Sequence, residues 1–203
     1  MSERNNDTYE RILNAAKEEF LKKGYHSASL RNITKNACVT TGSLYWYFKS
    51  KKELFDAIVS VHYHRILDLY DKARNKVFDF SYRKSDEAVN EVGSNCFMEM
   101  LDYMYLHISE FRIIISGAEG TEYDDIVHAL VMREIESSEK FIGTVSDKEE
   151  AISPELAYIV VSGMFSGLFE MIKHDYSLSK AKKCIKELYD FYAAGFSYIM
   201  NSS

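Results

Sequence analysis

Residues that interrupt helices are scarce in this chain, and their scarcity constrains its fold more than any other feature. The 203 residues include one proline, Pro154, and only nine glycines. Ala, Leu, Glu, Lys and Met, which favour helices, occur throughout. The sequence therefore predicts an all-α fold. A hydrophobic content of 46% is ordinary for a globular protein and supplies enough apolar side chains for a sizeable core.

The sequence gives no sign of secretion or of membrane insertion. The stretch MSERNNDTYE lacks the apolar segment of a signal peptide. The longest uncharged apolar run, residues 156–169, has 14 residues, whereas a spanning helix needs about 20. The three cysteines (Cys38, Cys96 and Cys184) are far apart and odd in number. We therefore expect a reduced, cytoplasmic protein with no membrane partner.

The charge distribution is uneven along the chain. Residues 1–60 carry 10 Lys and Arg against 7 Asp and Glu, whereas residues 61–203 carry 15 against 24. Seven basic residues and no acidic residue fall within residues 20–52. Although the net charge is −6, this asymmetry indicates a basic N-terminal module that meets a polyanion, joined to an acidic body that does not.

No pattern in the sequence indicates catalysis. His62 and His64 are two residues apart on a predicted helix and point to opposite sides, while His107, His128 and His174 are isolated in the sequence. Serine-hydrolase, zinc-protease and phosphate-loop motifs are missing from the sequence. We therefore predict that the protein is not an enzyme and has neither a metal site nor a cofactor.

The N-terminal quarter predicts a helix-turn-helix. A first helix is expected over residues 8–23, with Gly24 just beyond its end. Two short helices follow over residues 29–37 and 41–48, and a long helix begins near residue 52. In such a motif the second short helix lies in the major groove of DNA.

The third predicted helix is unusually aromatic, with the sequence TTGSLYWYF. Leu44 and Phe48 are four residues apart and can point into a small core, so we expect Tyr45 and Tyr47 to project outward. For Trp46 we expect packing against a neighbouring helix rather than contact with DNA. Tyrosine phenols can hydrogen-bond to phosphates, and their rings can cover a sugar or a thymine methyl group.

The stretch SLRNITKNACVTTGSLYWYFKSKKELFDAIV, residues 29–59, resembles the DNA-binding segment of the TetR family of transcriptional regulators. Two positions depart from the family pattern: Thr34 replaces an alanine, and Cys38 replaces the glycine of the turn. The resemblance implies a homodimer on a palindromic operator in double-stranded DNA, usually a repressor released by a small-molecule effector. The predicted DNA-contacting residues are Ser29, Arg31, Thr40, Thr41, Gly42, Ser43, Tyr45, Tyr47, Lys49 and Lys51.

The rest of the chain predicts further helices, over residues 86–106, 108–116, 122–143, 153–174 and 179–200. With the first four, this gives about nine helices. We expect residues 1–55 to form the helix-turn-helix DNA-binding domain and residues 56–203 to form a helical ligand-binding and dimerisation domain.

The run LAYIVVSGMFSGLFEMI is apolar all the way round, so a helix there must be covered on every side. We expect part of that cover to come from a second subunit, although a monomer with a buried central helix is the alternative. The residues predicted to form the dimer interface are Ser162, Gly163, Ser166, Gly167, Leu188, Tyr192 and Phe196.

A ligand cavity is indicated only by the many methionines and aromatics of the middle helices, a pattern that is also typical of an ordinary core. The candidate ligand-binding residues are Phe97, Met100, Met104, Met132, Met164 and Phe165. Two alternatives to a ligand-responsive regulator stay open: a DNA-binding dimer without small-molecule control, and a helical enzyme or binding protein with an incidental helix-turn-helix.

Overall fold

The computed structural model describes residues 3–81, 86–145 and 153–202. Within these ranges the chain forms nine α-helices and no strand, which confirms the predicted all-α fold. The helices are α1 (Glu3–Ser27), α2 (Leu30–Asn36), α3 (Thr41–Tyr47), α4 (Lys51–Ser81), α5 (Asp86–Leu106), α6 (Ile108–Gly117), α7 (Ile126–Val145), α8 (Pro154–Lys173) and α9 (Leu178–Ser202).

The first helix is longer than predicted but is interrupted at the expected glycine. Gly24 has φ +68° and ψ 174°, a conformation that L side chains rarely adopt, so the α-helical path breaks there before one more turn to Ser27. The same glycine lies against Gly117 of α6, where an added Cβ on Gly117 would be 3.3 Å from the Gly24 Cα. Two glycines therefore allow the backbones of α1 and α6 to touch.

The start of α7 was predicted four residues too early. Residues 122–125 form turns before the helix begins at Ile126. The carboxylate of Asp124 accepts a hydrogen bond from the backbone N–H of Gly120, which has φ +77°. Aspartate side chains that bond to nearby backbone favour turns over helix, which accounts for the later start.

The helices fall into two compact units. The first contains the described residues up to His64 together with His107–Asp125, and the second contains Arg65–Leu106 and the described residues from Ile126 onward. The predicted domain boundary after residue 55 stays a prediction. The compact unit that holds the helix-turn-helix extends as far as His64 in α4 and also includes the later segment His107–Asp125, which contains α6.

The core of the first unit is built by apolar faces of α1, α2, α3, α6 and the first turns of α4. Phe20 of α1 meets Phe55 of α4 edge-on, with ring centroids 4.9 Å apart. Ile12, Ile33 and Leu44 are fully buried. Each of the first three helices thus contributes side chains to one small core.

In the second unit α5 packs against α9, α7 against α8, and α8 against α9. The rings of Phe97 and Phe165 stack with centroids 5.6 Å apart, and Tyr70 meets Phe165 edge-on. The buried Tyr70 hydroxyl donates to the Glu134 carboxylate, which also pairs with Arg74 at 3.0 Å. The bond to Glu134 satisfies the Tyr70 hydroxyl, which would otherwise be costly to bury, whereas the buried Nε of Arg74 makes the ion pair without a hydrogen bond of good geometry.

Among the described residues, α8 alone has the length and apolar composition to cross a membrane. Its 20 residues exceed the uncharged run because the helix includes polar residues at both ends. Buried helices of globular cores share these properties, and the buried residues of α8 are Val161, Met164, Phe165, Leu168, Phe169, Met171 and Ile172. The absence of a membrane partner stays a prediction.

Candidate nucleic-acid interface

The turn between α2 and α3 accommodates a cysteine in a left-handed conformation. Cys38 has φ +53°, its N–H donates to the carbonyl of Lys35, and the N–H of Val39 donates to the carbonyl of Thr34. These two bonds form a Schellman motif, in which glycine usually occupies the position of Cys38. The chain therefore tolerates a side chain at this turn without shifting it, at a conformational cost of about 1–2 kcal/mol.

The third helix is held by its N-cap and by two buried anchors. The hydroxyl of Thr40 accepts a hydrogen bond from the backbone N–H of Ser43 at 3.1 Å, as expected of an N-cap. Leu44 and Phe48 are buried, and the Phe48 ring stacks on Tyr9 of α1 with centroids 5.4 Å apart. The inner face of α3 is therefore fixed, which gives its outer face a defined orientation.

The outer face of α3 is exposed and carries hydroxyl and aromatic groups. Thr41 and Gly42 are exposed, and Ser43 is half-buried. Tyr45 keeps 48% of its surface exposed, as the sequence predicts for an outward-facing residue. Tyr47 is half-buried because its ring lies against Tyr9, with centroids 5.9 Å apart.

The expectation that Trp46 packs against another helix is wrong. Its side chain is 67% exposed, and its ring meets the adjacent Tyr47 edge-on with centroids 4.6 Å apart. Because successive helical residues point about 100° apart, burying Leu44 and Phe48 turns Trp46 away from the core. A tryptophan this exposed adds a large flat surface beside Tyr45.

Lys51 has a structural role that the sequence did not reveal. Its ammonium donates to the backbone carbonyls of Tyr25, His26 and Ala28 at 2.7, 3.0 and 3.3 Å, and it lies 4.8 Å above the Tyr25 ring. Lys51 thereby satisfies carbonyls where α1 ends. The predicted contact of Lys51 with a phosphate stays a prediction.

Glu19 ties α1 to the start of α2. Its carboxylate accepts hydrogen bonds from the Ser29 backbone N–H and the Asn32 side chain, both at 3.1 Å, and pairs with Lys23 at 3.0 Å. Burial works to raise the pKa of Glu19, but the bonds from Lys23, Ser29 and Asn32 hold that pKa below its ordinary value. Ser29, which was predicted to contact DNA, is the N-cap residue of α2, but its side chain makes no capping hydrogen bond. Its backbone N–H donates to Glu19.

Two of the predicted cationic contacts, Arg31 and Lys49, lie at the surface. Lys35 of α2, which was not among the predicted contacts, is exposed as well. Lys52, by contrast, bridges the carboxylates of Asp56 and Glu122 at 2.8 and 2.7 Å. The exposed cations of α2 and of the loop before α4 are therefore the better placed to meet an anion.

The view that His107 is isolated is wrong. Its ring lies against that of His62, with centroids 4.3 Å apart, and Glu110 is close to both. Burial and the neighbouring His107 lower the pKa of His62. His62 and His107 are 45 positions apart, so no local spacing in the sequence could have revealed the pair.

The candidate ligand-binding residues mostly form packed core. Phe97, Met100, Met104, Met164 and Phe165 are buried, whereas Met132 is 37% exposed. A groove of about 560 Å³ lies between α5 and α9, and other residues line it, including Glu91, Tyr189 and Asp190. The ligand-binding role of the predicted residues stays a prediction.

The predicted dimer residues lie where α8 meets α9 of the same chain. A Cβ on Gly163 would be 2.6 Å from the Tyr192 hydroxyl, and one on Gly167 would be 2.6 Å from a methyl carbon of Leu188. Ser162, Ser166 and Phe196 are half-buried. These glycines therefore serve close helix approach within the chain, and their place in a dimer interface stays a prediction.

Comparison with known proteins agrees with this geometry. Residues 12–58 match the family model described as bacterial regulatory proteins, tetR family. The HTH-type transcriptional regulator UidR of Escherichia coli is 45% identical over 60 residues, which are 30% of this chain and 31% of UidR. The match thus spans about a third of the length of that relative. TtgW of Pseudomonas putida, an uncharacterized HTH-type transcriptional regulator, is 28% identical over 137 residues, 67% of this chain and 90% of TtgW.

Solved structures share the fold across nearly the whole chain. A TetR-like transcriptional regulator from Rhodococcus has a TM-score of 0.62 and 17% identity, with 93% of this chain and 96% of that chain covered. A transcriptional regulator from Aquifex aeolicus has a TM-score of 0.58 and 23% identity, with 89% and 96% covered. At these identities the likeness concerns the fold alone.

These observations define an all-α protein whose N-terminal unit presents a helix-turn-helix. The residues that match the tetR family model, 12–58, contain all of α2 and α3, so the helix-turn-helix of this chain is similar to that of the TetR family of bacterial regulatory proteins.

Proposed function

We propose that this protein is a DNA-binding transcriptional regulator that acts as a homodimer on a palindromic operator, as a repressor released by a small-molecule effector. The observation that carries the proposal is the exposed outer face of α3, with hydroxyl and aromatic groups on an anchored, capped helix. Seven basic residues and no acid accompany it within residues 20–52. The relatives, which are HTH-type transcriptional regulators, support the same function.

In this proposal α3 enters the major groove and its residues divide into two roles. Thr41, Gly42 and Tyr45 lie on the exposed face and are placed to meet base edges, sugar or thymine methyl groups. Arg31 and Lys49 are exposed cations that would neutralise phosphates. The first group would set sequence preference, and the second would set the salt dependence of affinity.

The test begins with selection of bound sequences from a random duplex pool at physiological salt, followed by affinity measurements on the selected site. Tyr45→Ala should weaken binding by about 1–3 kcal/mol, which is roughly five- to 160-fold. Tyr45→Phe, which keeps the ring and removes the hydroxyl, separates ring contact from the phenol's hydrogen bond. Unchanged affinity in Tyr45→Ala would exclude this orientation of α3.

The lysine arm of the test has a matched control on the acidic remainder of the chain. Lys49→Ala should weaken binding to selected and random duplexes alike and reduce the salt slope by about one. Lys186→Ala removes an equally exposed lysine from α9 and should leave both quantities unchanged. Equal effects of the two variants would mean that only overall charge matters.

The dimer proposal is supported by exposed apolar side chains on α8 and α9. Ile159 of α8 is 66% exposed, and Phe191 and Tyr198 of α9 are 73% and 75% exposed. An added Cβ on Gly195 meets nothing within 4 Å, so this face of α9 leaves room for close approach of a partner. The proposal takes these exposed side chains as parts of one interface, since one helix-turn-helix alone rarely supplies enough affinity.

Sedimentation equilibrium tests the dimer. Ile159→Glu should shift the protein from dimer to monomer because a charge would be buried at the interface. Leu106→Glu, at a leucine that is 76% exposed at the end of α5, is the control and should stay dimeric. A dimer that persists in Ile159→Glu would place the interface elsewhere.

Effector control is supported by the match of residues 12–58 to the tetR family model. The packing of the candidate ligand residues favours a second possibility. Phe97, Met100 and Phe165 are buried, and the rings of Phe97 and Phe165 stack on each other. Because these side chains are packed as an ordinary core would be, a DNA-binding dimer without small-molecule control is the alternative. A compound library screened for release of the selected operator distinguishes them. A compound that releases operator and loses its effect in Met100→Trp supports effector control; release that Met100→Trp leaves unchanged counts against these ligand residues.

A further inference from the structure

Three side chains that commonly bind metals meet where α6 begins beside α4. His62 lies on α4, His107 is the N-cap residue of α6, and Glu110 is in the first turn of α6. One ligand atom from each lies within 4.8 Å of the other two. All three belong to the first compact unit.

We propose that His62, His107 and Glu110 bind a first-row divalent metal ion of the zinc type. Two imidazole nitrogens and one carboxylate oxygen are a common zinc ligand set, and a water molecule takes the fourth position in such sites. Magnesium and calcium prefer oxygen ligands throughout, so this set favours zinc, cobalt, nickel or copper over them.

The geometry is close to what a tetrahedral ion needs. Zinc–nitrogen bonds of about 2.0–2.1 Å place neighbouring ligand atoms about 3.4 Å apart. The observed separations of at most 4.8 Å therefore require the three side chains to close by no more than about 1.4 Å. The proposal requires this closure to come from side-chain rotation of the two half-buried imidazole rings.

One positively charged side chain, Lys17, lies next to the cluster and opposes the binding of a cation. Both imidazole rings are half-buried, and Glu110 is buried and pairs with the Lys17 ammonium at 2.6 Å. A carboxylate has two oxygens and several lone pairs, so the Lys17 bond and a metal bond can coexist. The Lys17 charge weakens the site but does not close it.

A metal at this position would tie α4 to the start of α6. Because α4 begins four residues after α3 ends, such a link would restrain the helix that follows the proposed recognition helix. This consequence rests on the proposed function; the binding of the metal does not.

The test uses the full-length protein without DNA, so its failure is distinguishable from failure of the proposed function. Zinc affinity is measured by competition with a chromophoric chelator, and cobalt binding by its absorption spectrum. We expect one ion per chain, with no cobalt–thiolate charge-transfer band. His62→Ala and His107→Ala should each weaken zinc binding by more than about tenfold, since loss of an outer-shell partner alone costs 10–100-fold.

Two controls address other ligands. His64→Ala removes an exposed histidine two residues from His62 on the same helix and should leave zinc affinity unchanged. Cys38→Ser removes the exposed thiol and should also have no effect. A thiolate band, or an affinity that falls only in Cys38→Ser, would overturn the proposal.

A measurement on the unmodified chain covers the case in which a variant fails to fold. Zinc should protect His62 and His107, but not His64, from acylation by diethyl pyrocarbonate, read by mass spectrometry of peptides. Equal acylation of the three histidines with and without zinc would overturn the proposal. So would the lack of measurable binding at micromolar free zinc.

Discussion

Replacing Glu19 tests the contact that sets the geometry between α1 and α2. The carboxylate is buried and holds three donors: the Ser29 backbone N–H, the Asn32 amide and the Lys23 ammonium. Glu19→Ala removes the acceptor from all three and leaves the Ser29 N–H and the Asn32 amide without it. Hydrogen bonds to a charged group contribute about 1.5–3 kcal/mol each, but contributions from one network do not add. We therefore expect Glu19→Ala to lower the free energy of unfolding by about 3 kcal/mol.

Glu19→Gln separates the charge from the acceptor. Glutamine keeps one carbonyl oxygen that can still accept from the Ser29 N–H, and it loses the ion pair with Lys23. We expect a smaller loss of about 1 kcal/mol, because a neutral hydrogen bond replaces a charged one. Glu18→Ala changes the exposed neighbour on the same helix and should stay within about 0.5 kcal/mol of the original.

The assay is urea denaturation followed by far-ultraviolet circular dichroism and by the fluorescence of Trp46, the only tryptophan in the chain. Trp46 lies in the first unit, so its signal reports the part of the fold that Glu19 stabilises. Losses of equal size in Glu19→Ala and Glu19→Gln would refute the hydrogen-bond account. A loss below about 1 kcal/mol in Glu19→Ala would refute the importance of the contact itself.

The lowered pKa of Glu19 adds a dependence on pH. A carboxyl group whose folded pKa lies below its ordinary value of 4.5 stabilises the fold above that value, and the stabilisation is lost as pH falls through the folded pKa. The difference in unfolding free energy between the original chain and Glu19→Gln should therefore shrink as the pH is lowered below about 4.5. A constant difference down to strongly acidic pH would contradict the charge assignment.

Two further substitutions have expected effects on stability. Cys38→Gly should raise the free energy of unfolding by about 1 kcal/mol, because glycine relieves the left-handed strain at φ +53°. Part of that gain is lost because glycine gives the unfolded chain more conformational entropy. Thermal melting measures the change, and a lower melting temperature would count against the strain. Lys51→Met should lower the free energy of unfolding by about 2 kcal/mol, because three backbone carbonyls lose the donor that they share. Lys49→Met, at an exposed lysine, is the control and should change the free energy of unfolding by less than about 0.5 kcal/mol. Equal urea midpoints for the two lysine variants would contradict the structural role of Lys51.

Much of the fold was predictable because its signals are local. The N-cap at Thr40, the interruption at Gly24 and the paired anchors Leu44 and Phe48 all depend on residues within one helical turn of one another. Propensity and spacing carry that information, so every predicted helix is present among the described residues. The outward orientation of Tyr45 followed from the same helical geometry.

Three of the features that the sequence missed depend on distant partners. Lys51 finds its carbonyls about 25 positions earlier in the chain, Glu19 reaches across to α2, and His62 meets His107 only because α6 packs beside α4. A lysine in a basic segment looks the same in sequence whether it faces a phosphate or a carbonyl. The error at Trp46 has a local cause: its apolar character favoured burial, but the buried anchors Leu44 and Phe48 fix which face of α3 points inward.

The exposed face of α3 is the surface that we propose contacts DNA, and the fluorescence of Trp46 can report that contact. Trp46 is 67% exposed on that face and is the only tryptophan, so its emission needs no label and no correction for other residues. The chain is titrated with the duplex selected from a random pool, and a scrambled duplex of equal length serves as the control at the same salt. We expect the selected duplex to quench or shift the emission of Trp46 at the same concentration at which a mobility-shift assay shows binding. The scrambled duplex should do so only at a much higher concentration. Binding of the selected duplex with the emission of Trp46 unchanged would contradict the account, because DNA would then be held by another surface.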